Sequence, residues 1–94
     1  MISCCTPKSL KFFKAASDKH RQRILALLKV RKSLNASEIR AHIKLSQPTV
    51  SHHLALLTEA ELLHATKKGK ETYYELNNKS ITACCLGFMN ALIG

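Results

Sequence analysis

Leu45-Ser46-Gln47-Pro48-Thr49-Val50-Ser51-His52-His53-Leu54-Ala55-Leu56-Leu57 is the stretch around which the rest of this chain takes its place. Ser46 suits a helix N-cap, because its hydroxyl oxygen can accept an amide hydrogen that the first turn leaves without a partner. Pro48 falls inside that first turn, where a missing N–H costs nothing. Val50, Leu54 and Leu57 follow at i, i+4 and i+7, the apolar stripe of a helix that runs over 47–60. Gln47, Thr49, Ser51 and His52 are left on the opposite face. They are short or planar hydrogen-bonding side chains, the kinds that reach base edges in a major groove. His53 has two readings, a phosphate contact or a place under the helix.

On the N-terminal side, Asn35 and Glu38 have the spacing of a capping box and open a short helix through Ile39 and Ile43. Lys44-Leu45-Ser46 leaves only a tight turn before the next helix, which is the helix-turn-helix hairpin. Upstream, Asp18 suits the positive end of a helix whose stripe is Ile24, Leu25, Leu27 and Leu28, with His20, Arg21 and Arg23 outward. That helix frays in Val30-Arg31-Lys32-Ser33. Thr6-Pro7 starts a first helix with Leu10, Phe13 and Ala16 as its expected buried face. Residues 1–5 make a short mobile arm ending in Cys4-Cys5.

On the C-terminal side, Leu62–Thr66 and Glu71–Leu76 are two strands. Lys67-Lys68-Gly69-Lys70 joins them, with Gly69 supplying the positive φ of the hairpin turn. Lysines on a hairpin tip are usually just solvated. Beside a recognition helix, Lys67, Lys68 and Lys70 make a wing that grips phosphates without choosing sequence. Asn77 caps a last helix over 78–93 that carries Ile81, Cys84, Cys85, Phe88, Met89 and Leu92. That face is too apolar for one helix on a small domain, so it is assigned with the first helix to a dimer interface. The expected fold is mainly α with a two-stranded β-wing over 62–76, in a single winged helix-turn-helix domain over 1–94.

Composition bounds the function. The chain has 94 residues, 46% of them hydrophobic, which suits one small globular domain rather than a disordered basic tail. Fifteen Lys and Arg against six Asp and Glu give a formal net charge of +9, so a polyanion is the expected partner. No apolar run approaches the ~20 residues of a membrane-spanning helix, and no membrane partner is expected. With no secretory signal pattern, a reducing cytoplasmic location is expected. There is no nucleophile with a plausible base, no carboxylate pair and no phosphate-cradling glycine loop, so an enzyme and an organic cofactor are not expected. A small basic RNA-binding protein is the rival class. Its aromatic stacking platform is missing, because the chain has no Trp and both Tyr residues fall in the wing.

The four cysteines form two adjacent pairs, Cys4-Cys5 and Cys84-Cys85, which is not a disulfide framework. Cys84 and Cys85 lie on or beside the stripe of the last helix, where free cysteine packs well as a small core residue. A five-residue arm has no core of its own, so packing explains Cys4 and Cys5 poorly. Two soft thiolates there suit As(III) or another thiophilic ion, and nearby Lys8 favours the thiolate. The five histidines are scattered, without the i, i+4 pairing beside a carboxylate that a helix-borne zinc site needs.

Several stretches together resemble one family. Leu45–Leu54, the Asp18-Lys19-His20-Arg21 lead-in followed by Ile24-Leu25, Glu61-Leu62-Leu63, and Tyr73-Tyr74-Glu75-Leu76 are similar to the arsenical-resistance and metallothionein-repressor family (ArsR/SmtB). The resemblance covers almost the whole chain. It implies a homodimeric repressor, joined through its first and last helices, that leaves operator DNA when a metal, metalloid or thiol oxidant is sensed. The departures are informative. The third helix has Ser37-Glu38-Ile39-Arg40-Ala41-His42 where some members carry a Cys-Val-Cys type motif. The last-helix zinc positions fall on Asn78, Ser80, Ala91 and Gly94, and the second helix lacks the cysteine of the persulfide sensors. Cys4-Cys5 resembles the arsenite-binding arm of some members. The resulting expectation is release by As(III) bound among Cys4, Cys5, Cys84 and Cys85, within or between subunits. The alternative is release by disulfide or polysulfide formation at the same thiols.

Overall fold

The computed structural model describes the backbone of residues 7–93 and the side chains of residues 10–87 and of Met89. The expected arm at residues 1–5, with Cys4 and Cys5, lies outside the described residues. The elements run α1 (Pro7–Ala16), α2 (Lys19–Arg31), β1 (Leu34–Asn35), α3 (Ala36–His42), α4 (Gln47–Glu59), β2 (Leu63–Lys68), β3 (Glu71–Leu76) and α5 (Asn78–Ile93).

Side chains placed by the sequence set most of these boundaries. Asp18 caps α2 by accepting the amides of His20 and Arg21 at 2.9 and 3.0 Å. Asn35 and Glu38 close the capping box of α3, with both bonds at 2.9 Å. Asn77 Oδ1 accepts the amide of Ser80 at 3.2 Å, while its own amide donates to the Leu62 carbonyl at 2.9 Å. One residue thus caps α5 and ties it to the root of the wing. α2 continues to Arg31 and stops at Lys32, whose φ of +74° turns the chain toward the sheet.

The wing hairpin pairs Leu63 with Leu76 through to Lys68 with Glu71, so only Gly69-Lys70 remains as the turn. Gly69 has φ +64°, as expected. Lys67 and Lys68 are therefore strand residues rather than part of the loop. A third strand adds to the expected wing: β1 pairs antiparallel with β3, Leu34 opposite Tyr74 and Asn35 opposite Tyr73, giving the order β1-β3-β2. Two residues carry no alternation that a sequence could display, and Asn35 is at the same time the cap of α3.

Ile24 and Leu28 of α2, Ile39 of α3, and Val50, Leu54 and Leu57 of α4 form the most deeply buried group. Each such side chain contributes roughly 1.5–3 kcal/mol by leaving water. Two expectations about facing are corrected. The inward face of α1 is Phe12 and Ala15, not Leu10, Phe13 and Ala16; Leu10 is 59% exposed, and Phe13 and Ala16 are only half-buried. Apolar residues lie on two sides of this helix, so spacing permits either face, and packing against α2 and α4 selects Phe12. His20 and Arg21 also turn inward rather than outward, for a reason found in α4. At the C-terminal end, Ile81 and Cys84 pack against the core, whereas Leu86 and Met89 are 53% and 50% exposed. Among the described residues, no helix is long and apolar enough to cross a membrane.

Candidate nucleic-acid interface

The turn between α3 and α4 is held by backbone bonds, Ile43 N to Ile39 O at 2.9 Å and Leu45 N to Ile43 O at 2.7 Å. Ser46 Oγ then accepts the Thr49 amide at 3.4 Å and pairs with the Thr49 hydroxyl at 2.8 Å. Capped this way, α4 buries Val50, Leu54 and Leu57 and leaves Gln47, Thr49, Ser51 and His52 exposed. These four offer an amide, two hydroxyls and an imidazole along one side of the helix. The Thr49 hydroxyl is partly engaged by the cap; the other three are available. A narrow notch between α3 and α4 is lined by Ser37, Arg40, Gln47 and Ser51. Ser37 and Arg40 therefore border the same face, although sequence reasoning did not single them out. No local pattern marks them, because they meet α4 only through the turn that joins the two helices.

His53 settles beneath the helix at 8% exposure. Its Nδ1 lies 3.1 Å from a guanidinium nitrogen of Arg21, while Arg21 Nε donates to the Ala15 carbonyl at 2.7 Å. Burial pushes the His53 pKa below its ordinary value; Asp18 opposes that shift, and Arg21, His20 and His52 add to it. The Asp18 carboxyl is held below its ordinary range, first by the hydrogen bond from the Arg21 amide. This cluster is why Arg21 points inward.

Lys67, Lys68 and Lys70 are all exposed on the wing. The Lys68 ammonium lies 5.4 Å from the centre of the Tyr73 ring, a cation–π distance. Tyr73 faces Asn35 across β1, and Asn35 caps α3, so the wing is registered to the helix-turn-helix through a short chain of backbone contacts.

Of the four cysteines, Cys84 is half-buried and Cys85 exposed, both as free thiols on α5. Cys4 and Cys5 lie outside the described residues. Among the described residues, no three His, Cys, Asp or Glu side chains gather closely enough to hold a metal ion. His20, His52 and His53 stand with neighbouring ring centres 6.1 and 6.2 Å apart.

A capped, polar-faced helix set against a short partner helix and flanked by a lysine-bearing hairpin defines a winged helix-turn-helix. A family model described as a helix-turn-helix domain matches residues 16–65. The chain is 45% identical over 65 residues to the transcriptional repressor SdpR of Bacillus subtilis, covering 69% of this chain and 71% of that protein. It is 40% identical over 65 residues to an arsenical resistance operon repressor of Staphylococcus aureus, covering 69% of this chain and 62% of that one. A solved structure of a possible transcriptional regulator for arsenical resistance superposes with a TM-score of 0.75 at 28% identity, over 85% of this chain and 82% of the other. The chain belongs to the ArsR/SmtB family of winged-helix transcriptional repressors. The relatives are transcriptional regulators rather than enzymes.

Proposed function

We propose that two copies of this chain form a cytoplasmic repressor that holds operator DNA and releases it when cysteine thiols capture As(III) or a similar thiophilic ion. The observation that carries the DNA-binding part is the outer face of α4, where Gln47, Thr49, Ser51 and His52 are exposed while the opposite stripe is buried. In this reading these four side chains bond base edges, and Lys67, Lys68 and Lys70 neutralise phosphates. Two-fold pairing sets two recognition helices about 34 Å apart, one turn of DNA. Leu10 on α1 and Leu86 and Met89 on α5 supply exposed apolar surface for that pairing.

The inducer is assigned to the thiols. The arsenical-resistance repressors among the relatives support a metalloid, and Cys85 is exposed on α5, the helix assigned to the interface. A trigonal thiolate site needs three sulfurs, and α5 supplies two on adjacent positions pointing about 100° apart. Cys4 or Cys5, from the same or the other subunit, completes the set. Ion capture then favours a dimer whose helices no longer match both half-sites. A second reading keeps the repressor and changes the signal: the free Cys85 thiol is accessible to an oxidant or to reactive sulfur.

The test is fluorescence anisotropy on the DNA upstream of the gene, in reducing buffer, titrated with As(III). Wild type is compared with Cys4→Ser/Cys5→Ser and Cys84→Ser/Cys85→Ser proteins. Release by wild type, abolished in either double variant, is the expected result. Release by a peroxide or polysulfide but not by As(III) selects the second reading. Binding that persists under every treatment removes the sensor and leaves the repressor.

A further inference from the structure

We infer that Arg21 and His53 form a positioning pair that fixes the roll of α4 about its axis, so that operator affinity falls when His53 takes up a proton. The inference rests on the proposal that α4 reads DNA.

The pair is built from both sides. Arg21 sits in the first turn of α2, its backbone amide bound to Asp18 and its Nε to the Ala15 carbonyl at the end of α1. Two anchors leave the guanidinium little freedom, and it meets His53 Nδ1 at 3.1 Å. A guanidinium has donors only and stays charged, so Nδ1 must accept and the ring proton must sit on Nε2. One contact therefore ties α4 to both α1 and α2, and only a neutral imidazole can make it. Protonation would set an N–H against an N–H and place two positive groups side by side in a partly buried site. His53 directly follows His52 and is two residues past Ser51, so any roll it undergoes passes to the exposed face.

The charges around the ring favour the neutral form. Asp18 attracts a proton; Arg21 and His20 from α2 and His52 on α4 itself repel one, and burial disfavours the charged ring further. On the other elements packed against α4, Lys11 and Lys14 of α1 border a cavity with Arg21 and Leu56, and Arg40 of α3 stands beside Gln47 and Ser51. His64, Lys67 and Lys68 of β2 are exposed along the wing. His20 Nδ1 is buried with no hydrogen-bond partner among the described residues, 6.1 Å from His53 by ring centres. Asp18 is the anion that acts on the ring, and its Oδ2 is already taken up by the His20 and Arg21 amides.

The sign separates this device from general electrostatics. Acidification can only add positive charge to a basic DNA-binding surface, which alone tightens DNA binding. A positioning role for His53 gives the opposite slope. Operator affinity is to be measured at constant ionic strength from about pH 7.5 down to about pH 4.5, with folding checked at each pH, for wild type and His53→Asn, whose Oδ1 takes the place of Nδ1 and does not titrate. The expected result is a wild-type loss that sets in as the pH falls through the His53 pKa and approaches about tenfold per pH unit below it. The variant should bind within about threefold of wild type at the upper pH and show a flat or rising profile. A flat or rising wild-type profile, or an equal loss in the variant, overturns the inference. NMR of the free wild-type protein gives a reading that needs neither the variant nor DNA. The Gln47, Thr49, Ser51 and His52 amide shifts should titrate with the His53 ring, and amides that stay fixed overturn the pair. Wild type that fails to bind operator at the upper pH overturns the DNA reading instead, while the NMR titration still judges the pair.

Discussion

α4 and α5 are both amphipathic helices, of 13 and 16 residues, yet among the described residues only α4 has its apolar stripe covered. α4 packs its whole stripe against α2, α3 and its own sheet, and its remaining face is polar. α5 commits Ile81 and Cys84 to the core and leaves Leu86 and Met89 about half exposed. A helix finished by its own chain is a rigid display surface; a helix left apolar toward water needs a second molecule. In the proposed repressor, this difference gives recognition to α4 and assembly to α5. It also places the thiols of Cys84 and Cys85 on the helix that is least finished.

The largest effect should come from removing the apolar surface of α5. A Leu86→Glu/Met89→Glu protein is expected to be monomeric by sedimentation equilibrium. Its affinity for a two-half-site operator should drop by ~10²–10⁴, the gain that linking two binding modules supplies. Binding to a single half-site should be unchanged. A variant that stays dimeric would break the comparison, because α5 would then be serving something other than assembly.

The next effect belongs to α4's buried side. Leu54→Ala should cost about 2–5 kcal/mol in urea unfolding, by lost burial and the cavity left behind. Against a total of ~5–15 kcal/mol for a domain, that leaves little margin. A loss under about 1 kcal/mol would mean that the stripe is less tightly packed than its burial indicates.

The same contrast explains what could be read from the sequence. Ser46, Pro48 and the Val50, Leu54, Leu57 spacing announce α4 because cap, first-turn proline and stripe agree over one short window. The capping box at Asn35 and Glu38 is equally local. β1 was invisible, since its two residues gain meaning only by pairing with Tyr73 and Tyr74, far along the chain. The facing of α1 was ambiguous because Phe12 and Phe13 are adjacent and stack edge to face at 5.2 Å, one inward and one half-exposed. Arg21 misled for another reason. Its polarity predicts solvent, but its partner His53 lies 32 residues away, and no periodicity links them. Ser37 and Arg40 joined the α4 face only once the turn had folded.

On α4's exposed side, Gln47→Ala should leave urea stability within about 0.5 kcal/mol of wild type. Discrimination should fall by about 1–3 kcal/mol at one base position of a panel of operator variants. Equal weakening on every sequence would move Gln47 from base reading to phosphate contact. Thr49→Ala should cost stability as well, because the Thr49 hydroxyl is bonded to Ser46 within the cap.

The smallest effects lie on the wing, and they sharpen the comparison by separating lysines that look alike in sequence. Lys67 and Lys68 pair with Thr72 and Glu71, and Lys70 sits in the two-residue turn. Lys68 already has a partner in the face of Tyr73. A lysine that neutralises one phosphate contributes about 0.9 to the slope of log affinity against log salt. Substituting Lys67 or Lys70 by Ala should flatten that slope by about this amount each and weaken all sequences alike. Lys68→Ala should flatten it less, since an ammonium held over a ring must leave it before it can reach the DNA. Tyr73→Leu should then raise the contribution of Lys68 toward that of its neighbours. If Lys68→Ala instead gives the steepest loss, the ring is steering Lys68 onto a phosphate rather than holding it back.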